Sequence, residues 1–493
     1  MSDTAQFLAF DLGASGGRAL LGRWDGTRLD MEEIHRFENG PIDVIGNLHW
    51  DALRLWAEIK AGLARYAALH TTPLVSIGID TWAVDYALLD AKGRMLGNPY
   101  NYRDPRTNGM VDLVCAKVPR AEIFAETGIQ FMQINTIYQL ASMVQIGDPQ
   151  LAAAETLLMM PDLFHYWLTG RRAAEYTNAT STQLFSCHHR RWATELAERI
   201  GIPSRLLPEV VGPGTLLGPL LASIVAETGL RNTPAVIVPA THDTASAVAA
   251  VPDLDASSAY ISSGTWSLMG VEVPEPIVSA RALALNFTNE GGVGGMIRLL
   301  KNINGLWLLQ ECRRQWRREG HDYSWDSMLA QAEQATPLRS FIDPDAPEFM
   351  RPGDLPGAMR DFCRTTGQPI PDDVGALVRC CLESLALKYR WVLAAIQELT
   401  GQAITTIRVV GGGSRNRQLC QMTADACGRV VVAGPVEATA LGNIMVQAIA
   451  AGMLPDIAAG RRALAQSLTL EHYQPHHNAD WDAAYVRFMR VLV

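Results

Sequence analysis

Twice along its length the chain runs an apolar strand into a turn of glycine and small hydroxyl residues and straight out again into a second strand. The first pass is Phe7-Leu-Ala-Phe-Asp-Leu-Gly13, the turn Ala14-Ser-Gly-Gly17 and the strand Arg18-Ala-Leu-Leu-Gly-Arg-Trp24. The second is Ser258-Ala-Tyr-Ile-Ser-Ser-Gly-Thr265 followed by Trp266-Ser-Leu-Met-Gly-Val271. A strand after the turn is the wrong partner for a dinucleotide fold, whose GxGxxG opens a helix, and Gly13 and Gly16 do not have that spacing. The Walker A pattern GxxxxGK[ST] is absent as well. Repeating the same opening unit predicts an α/β protein of two similarly built halves. At 493 residues each half is long enough to bury a core of its own.

The rest of the pattern fits that plan. After the turn Asp25-Gly26 a third strand spans 29–37, a helix with Asp51 at its start spans 50–69, and strands cover 75–80 and 86–89. Helices are expected near 120–127, 135–146, 160–168 and 192–200, and a strand over Ala235-Val-Ile-Val238 leads into a small-residue helix after Asp243. Val251-Pro-Asp-Leu-Asp255 marks the boundary, giving domains 1–250 and 251–493. In the second half, helices are expected over 305–319 and 374–400, and strands over 404–410 and 430–432, before a last core helix.

A net charge of −9 speaks against a nucleic-acid or anionic-membrane partner, since either favours a basic face. No apolar run reaches 18 residues, and the opening Met1-Ser-Asp-Thr-Ala-Gln does not read as a signal peptide, so a cytoplasmic protein is expected. The eight cysteines form no CxxC pair and no zinc pattern, and read as reduced thiols.

Three turns have the composition to cradle phosphate: Asp11-Leu-Gly-Ala-Ser-Gly-Gly-Arg18, Ser262-Ser-Gly-Thr265 and Gly411-Gly-Gly-Ser-Arg-Asn416. Glycine lets backbone N–H groups approach an anion, and hydroxyls add donors. Any one alone reads first as a plain glycine turn. Asp11 adds information, because a carboxylate beside an anion site calls for a cation between them. Mg²⁺ takes one or two carboxylates plus phosphate oxygens, which makes Asp11 and Asp243 its candidate ligands. Asp243, in Pro239-Ala-Thr-His-Asp-Thr-Ala-Ser246, ends a buried strand where open α/β sheets bind ligands. It reads either as a helix N-cap or as an active carboxylate. His242 reads as a structural hydrogen-bonder or a participant, Asn302 as a ligand or a cap for the helix after it, and Lys301 as a ligand or a partner of a surface carboxylate.

Six ordered blocks carry a resemblance that covers nearly the whole chain. They are Asp11-Leu-Gly-Ala-Ser, Ile79-Asp-Thr-Trp-Ala-Val-Asp85, His242-Asp-Thr-Ala-Ser246, Ser263-Gly-Thr-Trp-Ser-Leu268, Val409-Val-Gly-Gly-Gly413 and Glu437-Ala-Thr-Ala-Leu-Gly442. In these the chain resembles the FGGY carbohydrate kinases. Tyr102-Arg-Asp-Pro-Arg-Thr-Asn108, Tyr176-Thr-Asn-Ala-Thr180, Thr288-Asn-Glu-Gly-Gly292, and Lys301-Asn302 with Gly305-Leu-Trp-Leu-Leu-Gln310 match one subgroup of that family. The resemblance implies two actin-like (ribonuclease H-like) α/β domains facing across a cleft. It also implies transfer of the γ-phosphoryl group of MgATP to the primary hydroxyl of a ketose, with L-rhamnulose the expected sugar and another ketose, such as L-fuculose, the alternative. Ala14, Ser15, Gly16, Gly17 and Arg18 would hold the ATP phosphates, Thr265 would meet the γ-phosphate, and Gln310 and Gly412 would border the nucleotide. His242, Asp243, Thr244 and Asn302 would line the sugar site, with Asp243 the catalytic base. Two positions depart from the family pattern: Ala83 stands where glycine is usual in the substrate loop, and Gly16 where a second serine is usual. The competing class is a non-catalytic actin-like protein that binds nucleotide or sugar to regulate a partner. The two carboxylates, Asp11 and Asp243, count against it.

Overall fold

The computed structural model describes residues 4–476 and 479–492. The chain forms two compact units, the first reaching from the N-terminal strand to Asp253 and joined by Glu272–Leu299 and Ala438–Ser467, the second holding the remainder. The first unit thus takes in two segments that lie beyond residue 250. One of them, Ala438–Ser467, brings the helix that covers the second face of the first unit's sheet.

In the first unit, β1 (Ala5–Gly13), β2 (Gly16–Trp24), β3 (Leu29–Glu38), β4 (Ser76–Thr81), β5 (Leu216–Pro219) and β6 (Ala235–Ile237) form one sheet ordered β5-β6-β4-β1-β2-β3. β6, β4 and β1 are parallel, and the β1–β2–β3 meander is antiparallel. The first turn is tighter than the sequence suggests. Gly13 pairs with Gly16, so only Ala14 and Ser15 lie outside the ladder. Gly17 is glycine because a Cβ there would stand 2.3 Å from the Phe37 ring.

β1 is buried along nearly its whole length, since helices cover both faces. On one face lies α1 (Ala52–Leu69), capped by Asp51, whose side chain accepts from Arg54 N; its Gly62 packs on Phe10. On the other lies the returning helix Ala438–Ala450, with Ile444 against Gly22 and Asn443 against Gly78. A buried polar ladder fixes this second helix. Ser76 Oγ donates to Gln447 Oε1 at 2.7 Å, Gln447 Nε2 to Asn443 Oδ1 at 2.7 Å, and Asn443 Nδ2 to Asp80 Oδ2 at 2.5 Å. A buried ladder of this kind specifies one docking register where apolar contact alone would tolerate several.

The second unit is built on β7 (Ser258–Ser263), β8 (Trp266–Val273), β9 (Ile297–Asn304), β10 (Thr406–Val410), β11 (Val430–Ala433) and β12 (Glu471–Tyr473), ordered β9-β8-β7-β10-β11-β12. β7, β10 and β11 are parallel, and the β7–β8 hairpin repeats the β1–β2 unit. Its long helix Val374–Thr400 is capped by Asp373, stopped by Gly401 at φ 70, and tied to β8 by Tyr389 Oη and Ser267 Oγ at 2.7 Å. Among the described residues no helix is long and apolar enough to cross a membrane.

One close helix crossing in the first unit is a direct consequence of one residue. A Cβ on Gly442 would lie 1.8 Å from the carbonyl oxygen of Ser246, in the short helix α2 (Asp243–Ala249). Overpacking of this kind costs about 1–3 kcal/mol, and more against rigid backbone. Gly442→Val should lower the first thermal transition by several degrees in calorimetry, whereas Gly452→Ala, with open space around it but φ 72, should shift it much less.

Candidate active site

The parallel strands of the first unit bring three carboxylates to one edge of the sheet. Asp11, near the end of β1, is directly opposite Asp80, near the end of β4. Thr81 N donates to Thr241 O at 2.9 Å and Thr81 pairs with His242, so the chain leaving β6 continues the same edge. α2 then starts at Asp243. Its N-cap is His242, so Asp243 is the first helical residue and not the cap. The Asp243 carboxylate instead folds back on its neighbour: Thr244 N donates to Oδ1 at 2.5 Å and Thr244 Oγ1 to the same oxygen at 3.2 Å. Thr244 and His242 are buried, while the Asp243 side chain is 31% exposed.

Crowding these acids has an electrostatic cost. Burial pushes the Asp243 carboxyl up; His242 opposes the shift and the charge of Asp11 adds to it. Asp80, fully buried, is pushed well above the usual carboxylate range by burial first and Asp11 next, against the hydrogen bond from Asn443. Among the described residues its Oδ1 has no hydrogen-bond partner. Asp11 is paired with Arg18, whose Nη2 lies 2.8 Å from Oδ2 across the β1–β2 ladder. The residue assigned to phosphate thus neutralises the residue assigned to metal. The sequence marked Asp80 as a strand-ending Asp but gave it no role; the same position on β4 as Asp11 on β1 was the available signal.

Beside this edge is an aromatic wall. Trp82 and Trp50 pack with centroids 4.1 Å apart and planes tilted by 37°, and both indoles donate to Asp85 Oδ2, at 2.9 and 2.6 Å. Tyr102 N donates to the same oxygen at 3.2 Å and Gln139 Nε2 to Oδ1 at 2.9 Å. Ala83 lies in the turn between, where Asp85 N donates to Ala83 O at 2.9 Å and Val84 takes φ 68. Despite four donors, burial pushes the Asp85 carboxyl up to about 6.

Ala14 to Gly17 lie at the β1–β2 turn of the first unit, while Thr265, Gln310, Gly412 and Asn302 belong to the second. Thr265 lies in the β7–β8 turn, with Oγ1 3.4 Å from Gln310 Oε1 on the helix Trp307–Arg318. Gly412 begins the short helical turn after β10 and is open, with nothing within 4 Å of an added Cβ. Its neighbour Gly413 has no such freedom, since a Cβ there would fall 2.0 Å from Ser263 Oγ. The second and third glycine turns therefore lie against each other. Asn302 is inside β9, and the following helix is capped by Leu306, so the reading of Asn302 as a cap falls. Lys301 is buried, 5.5 Å over the Trp391 ring; burial pulls its pKa down to about 8 against the charge of Asp345. It is not a surface bridge.

Among the described residues no three His, Cys, Asp or Glu side chains converge to hold an ion unaided. Mg²⁺ does not need such a cluster, since it takes one or two carboxylates and completes its shell with water and phosphate oxygens. The mutual repulsion of Asp11, Asp80 and Asp243 fits the ion, because a dication relieves it.

Comparison with known proteins follows the same lines. Residues 6–250 match the model of the N-terminal domain, and 259–451 that of the C-terminal domain, of the FGGY family of carbohydrate kinases. The chain is 46% identical over 482 residues to a rhamnulokinase of Bacteroides thetaiotaomicron, covering 98% of each. It is 43% identical over 483 residues to a rhamnulokinase of Pectobacterium atrosepticum, covering 98% of this chain and 95% of the relative. In fold it is similar to a gluconate kinase from Lactobacillus acidophilus, with TM-score 0.80 at 15% identity over 99% of this chain and 96% of that one. It is also similar to Plasmodium falciparum glycerol kinase, with TM-score 0.78 at 15% identity and 99% of each covered.

Asp85 gives a pH test of this geometry. The folded carboxyl holds its proton to about pH 6 and the unfolded one only to 3.8. Its favourable contribution is thus complete below the lower value and is lost as pH rises through the higher. Relative to Asp85→Asn, the melting temperature of the unsubstituted protein should fall between pH 4 and 6.5 and then run parallel. A gap independent of pH would show that Asp85 stays ionised.

Proposed function

The chain belongs to the FGGY family of carbohydrate kinases, and on that footing we propose that it transfers the γ-phosphoryl group of MgATP to the 1-hydroxyl of L-rhamnulose, giving L-rhamnulose 1-phosphate. The observation that carries the sugar is the near-full-length identity to relatives named rhamnulokinase. The low-identity structural neighbours support the fold alone.

In this reading Asp243 is the base. Its Oδ1 is engaged by Thr244 and part of its side chain stays exposed, as an incoming hydroxyl requires. The sugar O1–H bond breaks and its proton passes to the carboxylate. O1 bonds the γ-phosphorus, and the bridging oxygen leaves with ADP. Base assistance of this type contributes about 10²–10⁴-fold. Most of the remaining acceleration comes from positioning and from charge stabilisation around the phosphoryl group. Ala14 to Arg18, Thr265, Gln310 and Gly412 are assigned to the nucleotide, and His242, Thr244, Asn302 and the Ala83 turn to the sugar. Asp11 and Asp243 would hold Mg²⁺, directly or through water, and the ion would supply charge neutralisation at the phosphates. Arg18 would then exchange Asp11 for phosphate oxygens. Trp82, held by Asp85, offers an aromatic face to the apolar side of the sugar.

A coupled assay for ADP release over a panel of ketoses should show clear preference for L-rhamnulose, with phosphate on O1. Preference for L-fuculose or another ketose would overturn the sugar, and nucleotide binding with no sugar-stimulated ADP release would overturn the enzyme. Asp243→Asn should keep the fold and lower kcat by about 10²-fold or more while the sugar KM moves only a few-fold. Near-normal turnover in that variant would remove Asp243 from the role of base.

A further inference from the structure

The block Thr288-Asn-Glu-Gly-Gly292 has no part in the reading above, and its segment is one of those that return to the first unit. It brings Glu290 beside His242, together with Arg298 from β9. Arg298 is completely buried and Glu290 nearly so. Arg298 Nη2 lies 3.2 Å from Glu290 Oε2 and 3.2 Å from His242 Nδ1, and Nε donates to Gly291 O at 2.8 Å. Glu290 Oε2 is itself 3.4 Å from His242 Nδ1. On the far side of the same ring, Nε2 is 3.5 Å from Asp243 Oδ1.

Of the two groups near Nδ1, Arg298 Nη2 is the one in hydrogen-bond geometry, and Glu290 Oε2 approaches only to ion-pair distance. A guanidinium has only donors, so that hydrogen bond uses the imidazole lone pair. The ring proton then sits on Nε2, facing Asp243. A fully buried Arg–Glu pair is a poor device for stability, since its desolvation rivals its attraction. Arg298 Nη1 moreover has no hydrogen-bond partner among the described residues. Stability does not account for the pair, but orientation of His242 does.

We propose that Arg298 and Glu290 are positioning residues that act through His242 on Asp243. Arg298 sets the His242 tautomer and Glu290 holds Arg298 in place. The Nε2–H and the Thr244 donors together occupy Oδ1, which leaves Oδ2 as the oxygen that receives the sugar proton. The 3.5 Å approach is long for a hydrogen bond, as such contacts commonly are before substrate tightens them. The proposal rests on Asp243 being the base.

The test is a double-mutant cycle on the full-length protein, read as kcat, both KM values and melting temperature. Arg298→Met should lower kcat by about tenfold or more with the ATP KM unchanged, and Glu290→Gln should do so less. In an Asp243→Asn background the same changes should cost almost nothing further, because the group they position is gone. A purely structural role would multiply through both backgrounds, and that result overturns the proposal. So does near-normal kcat in Arg298→Met. If Arg298→Met does not fold, Glu290→Gln is judged by the same cycle; if neither folds, the pair is scaffold and the proposal falls. Near-normal turnover of Asp243→Asn alone is a separate failure, that of the base assignment.

Discussion

Three carboxylates held at one edge of a parallel sheet set the terms for the first unit. Asp11 and Asp80 face each other across β1 and β4, and Asp243 begins the helix that follows the next strand. Negative charge gathered in a poorly solvated place destabilises unless each member is compensated. Each is compensated differently: Asp11 by Arg18, Asp80 by Asn443, and Asp243 by Thr244 and His242. These partners come from the hairpin, from the returning helix Ala438–Ala450 and from α2. The acids thereby explain why a segment so late in the chain packs where it does. The same repulsion that folding must offset is what a dication and a phosphate chain would exploit.

Glycine decides how closely the supporting elements approach. Gly442 lets one helix press its axis onto the backbone of α2, and Gly413 lets the third glycine turn lie on Ser263. Gly17 admits the Phe37 ring. In none of these is a positive φ the reason. What matters is the missing side chain, which allows a contact of about one methyl group's depth. Gly412, by contrast, is open and faces no such wall. Of the glycines in that turn it is the one free to meet a ligand.

Much of this was legible in the chain before any coordinates. The helices at 120–127 and 374–400 end where their apolar periodicity ends, and Asp51 caps the helix it precedes. The strand Thr288–Gly291 was not legible, because Thr-Asn-Glu-Gly has neither alternation nor β-branched content beyond its first residue. Its burial comes from neighbours: Gly291 N donates to Thr180 Oγ1 at 2.9 Å, and a Cβ on Gly291 would meet the Tyr176 ring. Glu290 was missed for the same reason, since a buried acid looks like a surface acid when its partner Arg298 is read alone. Lys301 was misplaced likewise, as only packing against Trp391 shows it to be buried.

Local pattern was sufficient wherever a signal is carried by adjacent residues: the strand–turn–strand units, the caps, the acids at strand ends, and with them the family. Register and return were beyond it. That Asp11 stands opposite Asp80, that Arg18 neutralises Asp11, and that residues near 290 and 443 complete the first unit depend on which distant segments pair. Sequence spacing carries no energy for such pairings. Only burial does, and burial exists once the chain has closed on itself.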